Sequence, residues 1–288
     1  MPSTREIRRR IRSVKNISQI TRAMQMVAAS RMRRAQSAVL AGRPYAEKID
    51  VIMANLAARI RGQEDAATQP LLMQRPIKRV GVVVITADRG LCGSMNTNLL
   101  RRATRFMLDE AGADSSVIAV GRKGRDFMVR YGRPLIAEFI NYSDRPKLTD
   151  VVPIARVVTD EYAAGRIDAV YLIYTTFVNT LIQRPTVYAL LPLKPSEPAG
   201  TQLEYIYEPS AGAVLESLVP RYIESRIYQG LLESIASEQS ARMVAMQNAT
   251  TNARELVQEY TLTYNKLRQS NITRELTEIT SGAAALTG

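Results

Sequence analysis

Histidine and tryptophan are both absent from the 288 residues, and there is one cysteine, Cys92. Without imidazole the chain has no side chain that titrates unperturbed near neutrality, and it lacks the commonest nitrogen ligand for metals. Without indole it lacks the best cation–π face. One cysteine closes no internal disulfide and builds no cysteine metal cluster, so nothing points to an oxidising compartment. No apolar run reaches the roughly 18 residues a bilayer-spanning helix needs. The basic start MPSTREIRRRIRSVKN has no apolar stretch or small-residue cleavage site after it, so it does not read as a secretory signal. A transit peptide is discounted because the helical periodicity continues into the body of the chain. What is present is 46% apolar residues, enough for a core in one large or two ordinary domains.

Basic residues number 39 against 27 acidic, a formal +12. The first 34 residues carry ten basic side chains (Arg5, Arg8, Arg9, Arg10, Arg12, Lys15, Arg22, Arg31, Arg33, Arg34) and one acid, Glu6, a net +9. The last segment, from residue 210 on, carries seven basic and eight acidic groups. Such a block reads as a contact for nucleic acid, an acidic membrane or an acidic protein, and composition does not choose among them.

Three segments follow from the patterning. Residues 1–61 read as one long helix, with a kink or break expected near 42–44 because Pro44 removes a backbone donor and crowds the preceding turn. Steps of three and four link Ile7, Ile11, Val14, Ser18, Thr21, Gln25, Ala28, Met32, Ala35 and Val39, a coiled-coil seam with a small, polar middle. Beside it runs a second line, Ile17, Ile20, Met24 and Val27. Residues 210–288 read as a second helix, free of proline after Pro220. At about 1.5 Å per residue each is roughly 60–90 Å long, more than a globular domain buries, so the simplest closure is an antiparallel coiled coil joining the two chain ends. Residues 77–195 have a different grammar. Strand candidates at 78–86, 115–121, 134–142, 168–177 and 184–193 alternate with helical patterns at about 95–110, 122–131 and 148–164, Ser94 being the expected N-cap of the first helix. The expected fold class is therefore α/β: a Rossmann-like central domain with a mostly parallel sheet, its last two strands a hairpin at the edge, plus the terminal coiled coil. Residues 62–76 and 196–209 are the expected linkers.

The loop ITADRGLCGSMN sets Gly90 and Gly93 between the first strand and the next helix, where a phosphate loop would lie. It has neither the GxGxxG nor the GxxxxGK[ST] spacing, so a structural turn is the better reading and no cofactor is expected. Cys92, with no histidine anywhere, reads as a small buried hydrophobe. The neighbours Asp109–Glu110 and Asp160–Glu161 point apart on a helix and read as solvated faces. No metal site is expected, and no catalytic constellation is present.

The blocks IRRRIRSVKNISQITRAMQMVAASRMRRAQ, ITADRGLCGSMNTNL and ESRIYQGLLESIASEQSARMVAMQNATTNARELVQEYTLTYNKLRQSNITRELTEITSGAAAL together resemble the gamma subunits of F-type ATP synthases, nearly end to end. The resemblance implies a non-catalytic rotor subunit: a coiled coil standing inside a ring of three alpha and three beta subunits, a central domain meeting epsilon and the membrane c-ring, and ATP chemistry confined to the beta sites. It implies coupling or rotor contacts at Met24, Arg268, Gln269 and Thr273. Arg8, Arg9, Arg12, Arg31, Arg33 and Arg34 would meet acidic loops of the surrounding ring, and the small, uncharged tip SGAAALTG would serve as a bearing. Chloroplast members carry a regulatory cysteine pair that one cysteine cannot reproduce, so a bacterial complex on the cytoplasmic face of the plasma membrane is expected. The alternatives are a basic coiled-coil adaptor that binds nucleic acid and a cofactor-dependent enzyme on the central domain. The first lacks interleaved aromatics and a nucleic-acid module, the second a catalytic constellation.

Overall fold

A computed structural model of the chain describes residues 3–60, 75–192, 207–208 and 211–287. The two expected linkers fall almost wholly outside the described residues. In chain order the elements are α1 (Thr4–Ile60), β1 (Arg79–Ile85), α2 (Met95–Arg105) continued by a π-helical turn (Phe106–Glu110), β2 (Asp114–Val120), α3 (Arg122–Arg130), β3 (Leu135–Phe139), α4 (Leu148–Ala163), β4 (Ala169–Phe177), β5 (Gln183–Leu191) and α5 (Ala211–Thr287).

The sheet order is β3-β2-β1-β4-β5. Pairings among the first four strands are parallel, and β5 runs antiparallel at the edge, as the short β4–β5 connection requires. RVGVVVI suits the central position: all but its first residue are buried, and a strand covered on both faces has no use for polar alternation. One sheet face packs Val82, Val84 and Val117 against Leu99, Ala103, Phe106 and Met128 of α2, its π turn and α3. Val83, Ile85, Ile118 and Leu172 alternate to the opposite face, where α5 lies close. There Gly230 permits the approach, since a Cβ at that position would stand 3.0 Å from Leu172 and 3.5 Å from Ile85. Directional bonds add to this contact. The Thr175 N–H donates to Ser234 Oγ at 3.3 Å, Ser237 Oγ donates to the Thr175 carbonyl at 3.1 Å, and Ser240 Oγ donates to the Thr180 carbonyl at 2.7 Å.

Three local expectations change. Ser94 precedes α2 but does not cap it through its side chain: its φ of −88° and ψ of 2° leave the extended region an N-cap residue adopts, and its hydroxyl accepts instead from Asn98 Nδ2 at 3.2 Å. Residues 106–110 continue α2 with π geometry, closed by the Ala111 N–H on the Phe106 carbonyl at 2.8 Å. Pro44 lies inside α1, which runs on to Ile60 and is not broken there. Ala46, Ile49, Met53 and Leu56 are buried beyond it, and that burial offsets the lost donor.

The chain divides into two compact units, Met1–Val27 with Met243–Gly288, and Ala28–Arg242. In the first, α1 and α5 pair antiparallel: Arg8 Nη2 donates to Tyr264 Oη at 2.5 Å, and the Thr21 and Thr250 hydroxyls meet at 2.8 Å. Ile7, Thr21, Met246 and Ala253 are buried in that seam, and Ile11, Val14, Ser18 and Gln25 are half-buried. In the second unit Ala28, Met32, Ala35 and Val39 are buried, and α1 also runs opposite to α5. Asp50 pairs with Arg226, and Gly42 makes room for Gln229, whose Oε1 would stand 2.8 Å from a Cβ there.

Candidate functional site

Among the described residues no group of three or more Asp, Glu or Cys could hold a metal ion. The surfaces of the helix pair are therefore the first candidates, taken unit by unit.

In the N- and C-terminal unit the buried seam is flanked by two different lines on α1. On one flank stand Ile17, Ile20, Met24 and Val27; Ile17, Ile20 and Val27 are 48–59% exposed, and Met24 is half-buried. On the other, at steps of four, three and seven, stand Arg8, Arg12, Lys15 and Arg22, all exposed. Arg8 also lies over the Tyr264 ring at 5.4 Å, so part of its cation serves the helix pair itself. Arg268, Gln269 and Thr273 are exposed on α5. The pairings at Arg8–Tyr264 and Thr21–Thr250 set thirteen residues of α1 against fourteen of α5, so Met24 lies level with about Gln247 and Leu267 with the start of α1. Both face the seam region, at opposite ends of it. Past Arg268, α5 has outrun the start of α1, and Ile272, Leu276 and Ile279 are 49–68% exposed. The tip remains helical to Thr287, but the side chains from 284 on lie outside the described residues.

In the other unit Arg33 and Arg34 are exposed, whereas Arg31 pairs with Asp144 of the central domain. The sequence offered no signal for that pairing. It removes Arg31 from the set of cations free to meet another protein.

The loop after β1 is occupied by the chain's own groups. At the start of α3, the Arg122 N–H donates to Asp88 Oδ1 at 2.9 Å, the Lys123 N–H to the Ala87 carbonyl at 3.2 Å, and the Gly124 N–H to Thr86 Oγ1 at 2.8 Å. These three amides at the start of α3 are thus already bonded, one of them to a carboxylate. Arg242 Nη2 donates to the Gly90 carbonyl at 3.1 Å and to Glu238 Oε1 at 2.6 Å. Burial holds the Glu238 carboxyl above the usual range, opposed by Arg242. Burial, and then Glu238, push the Cys92 thiol up, and Cys92 is only 2% exposed. The thiol accepts from Asn96 Nδ2 at 3.2 Å and is an inert packing group. A cavity of about 410 Å³ lies between Thr86–Arg89, Gly121 and residues 231–238 of α5. The paired carboxylates lie with their own partners: Glu110 with Arg102, Asp160 with Arg156, Glu161 with Arg166.

Residues 3–286 match the family model described as ATP synthase. A protein named ATP synthase gamma chain from Roseiflexus castenholzii is 56% identical over 290 residues, covering 99% of each chain. The chain belongs to the ATP synthase gamma-chain family. Other members of the family are equally co-extensive with it: a gamma chain from Chloroflexus aurantiacus is 52% identical over the whole of both chains. Among solved structures, a chain of the Tetrahymena thermophila mitochondrial ATP synthase central stalk and c-ring is 30% identical with a TM-score of 0.61, covering 80% of this chain and 99% of that one. A Euglena gracilis mitochondrial ATP synthase chain, 22% identical, has a TM-score of 0.68 over 98% of this chain and 94% of its own, which speaks for a shared fold. The mixed α/β fold with its mostly parallel sheet and long terminal helices is thus one that this chain shares with these two ATP synthase chains. No helix among the described residues is long and apolar enough to cross a membrane.

Proposed function

We propose that the chain is the rotor subunit of an ATP synthase central stalk, carrying torque between a membrane c-ring and a catalytic ring of three alpha and three beta subunits, so that proton flow drives ATP synthesis. The observation that carries this reading is the identity of more than half, over essentially full length, to proteins named ATP synthase gamma chain. The subunit itself is non-catalytic, and ATP is made elsewhere in the complex, a reading supported by the gamma-chain family to which the chain belongs. It stands at the cytoplasmic face of a bacterial plasma membrane and is held there through its partners, including epsilon.

Within this reading the half-exposed apolar line through Met24 and the exposed Arg268, Gln269 and Thr273 are the contacts with the catalytic ring. Arg8, Arg9, Arg12, Arg33 and Arg34 are exposed cations suited to acidic loops passing by, and exposed pairs of this kind bias position without fixing it. Affinity purification of the tagged chain from native membranes tests the reading, with alpha, beta and epsilon subunits and the c-ring expected to accompany it. Recovery of the chain with nucleic acid and without those subunits would overturn it.

A further inference from the structure

A groove on the central domain belongs to none of the surfaces above. It runs between α2 with its π turn and the C-terminal end of α3, encloses about 740 Å³, and has Leu108, Phe127 and Tyr131 among its apolar lining and Arg101, Arg105 and Arg133 along its rim. Leu108 and Tyr131 are 61% and 64% exposed, large apolar side chains left in water side by side. The Phe127 and Tyr131 rings pack at 4.5 Å with a 41° tilt, so the two form one aromatic wall. The arginines are uncommitted in charge. Arg102, on the neighbouring face of α2, pairs with Glu110, but Arg101, Arg105 and Arg133 have no ion pair among the described residues.

We propose that this groove docks an acidic amphipathic helix from another polypeptide. Arg101 and Arg105 are four apart on α2, so their guanidinium groups are spaced as neighbours on one helix face. That spacing matches two carboxylates four apart on a facing helix, each taken by a planar fork that binds carboxylate bidentately. Between such carboxylates the partner's apolar residues enter the space bounded by Leu108, Phe127 and Tyr131, the usual way a helix seats in a groove. An anionic membrane fits less well. A concave groove of about 740 Å³ receives a convex helix, whereas a face that lies on a membrane projects its apolar side chains outward into the lipid. The π turn contributes directly: its wider coil turns Leu108 out of the core while Phe106 and Met107 stay buried.

This inference rests on the rotor reading only in expecting the partner among the subunits of the complex, and the test separates the two. Binding to the full-length chain is read by fluorescence anisotropy with a labelled, designed helical peptide that presents two glutamates four residues apart beside leucines. Its lysine counterpart, and vesicles of phosphatidylglycerol and phosphatidylcholine, serve as competing probes. The glutamate peptide is expected to bind in the micromolar range, to weaken with added salt, and to weaken about tenfold or more in the Arg101→Glu/Arg105→Glu variant. Leu108→Ala and Tyr131→Ala remove apolar area without touching charge and should also weaken it several-fold. Equal affinity for both peptides, or binding to vesicles alone, overturns the proposal. In the assembled complex, a photo-crosslinking amino acid at position 108 should capture a segment with that acidic, amphipathic pattern, and capture should be lost in the arginine variant. A complex that assembles and yields no such segment rejects the assigned partner. A complex that never forms with this chain speaks against the rotor reading and leaves the peptide result to decide the groove.

Discussion

The Thr21 and Thr250 hydroxyls face each other at 2.8 Å across the helix seam, where their residues are 9% and 5% exposed. Two protons serve three contacts, because each hydroxyl also reaches a carbonyl of its own helix: Thr250 to Met246 at 2.8 Å and Thr21 to Ser18 at 3.2 Å. Thr250 makes the shorter of these, so it donates to Met246, and Thr21 donates to Thr250 across the seam. This is a small, directional lock in a stretch where the seam has little apolar bulk.

Replacing Thr21 by valine should cost the full-length chain about 1 kcal/mol in urea unfolding, the usual net worth of one buried hydrogen bond, and replacing Thr250, which makes two, should cost more. The double replacement should cost less than the sum of the singles, since two methyl groups leave no polar atom unpaired. Strict additivity in this cycle would mean the hydroxyls are not bonded to each other.

Gly121 follows β2 with φ at +97°, and a Cβ there would stand 2.1 Å from the Thr86 carbonyl oxygen. Backbone cannot yield as a flexible side chain can, so Gly121→Ala should destabilise the central domain by about 3 kcal/mol or more in thermal or urea unfolding. Gly90→Ala is the matched control: nothing lies within 4 Å of its added Cβ, and it should unfold like the wild-type chain.

Burial, and then Asp150 and Asp88, push the Tyr142 phenol up to about 12 from its ordinary 10.0. Between those two values the folded chain keeps a proton that the unfolded chain has lost, so this group makes stability fall as pH rises from about 10 to about 12. Tyr142→Phe should flatten that limb and leave stability at pH 7 little changed. With 13 tyrosines and no tryptophan, phenolate absorbance follows the titration cleanly, and the variant should lack one late-titrating tyrosine.

Met24→Lys sets a cation in the half-buried line beside Ile20 and Val27. If the line rides against acidic loops of a catalytic ring, the new charge adds an attraction that rotation must break. Proton pumping per ATP hydrolysed, measured in inverted vesicles, should fall more than hydrolysis does. An unchanged ratio would remove Met24 from the coupling surface.

The seam on α1 was legible residue by residue, because burying one helix face imposes a step of three and four whatever the partner is. Its register was not: which residue of α5 stands opposite Met24 depends on the fit of two surfaces, and single-chain periodicity carries no information about that. The strands were legible from their β-branched runs, each boundary moving by a few residues at most. The π turn left no trace, since one i to i+5 closure does not disturb an apolar pattern read over ten residues. The groove beside it went unread for that reason, and because Arg101, Arg105 and Arg133 come together only when α2 and α3 pack. Arg31 looked like its neighbours Arg33 and Arg34 until the fold brought Asp144 to it.

Ser234, Ser237 and Ser240 recur every three residues on the side of α5 that faces the sheet, and each grips backbone atoms of β4 or the turn after it. Greasy contacts alone would let a helix slip along its axis or roll about it at little cost, because one methyl neighbour is much like the next. Hydrogen bonds to fixed peptide groups do not allow that: they index α5 against the sheet like teeth on a splined shaft. Twisting this stretch of α5 therefore strains the β4 backbone before the helix can turn freely.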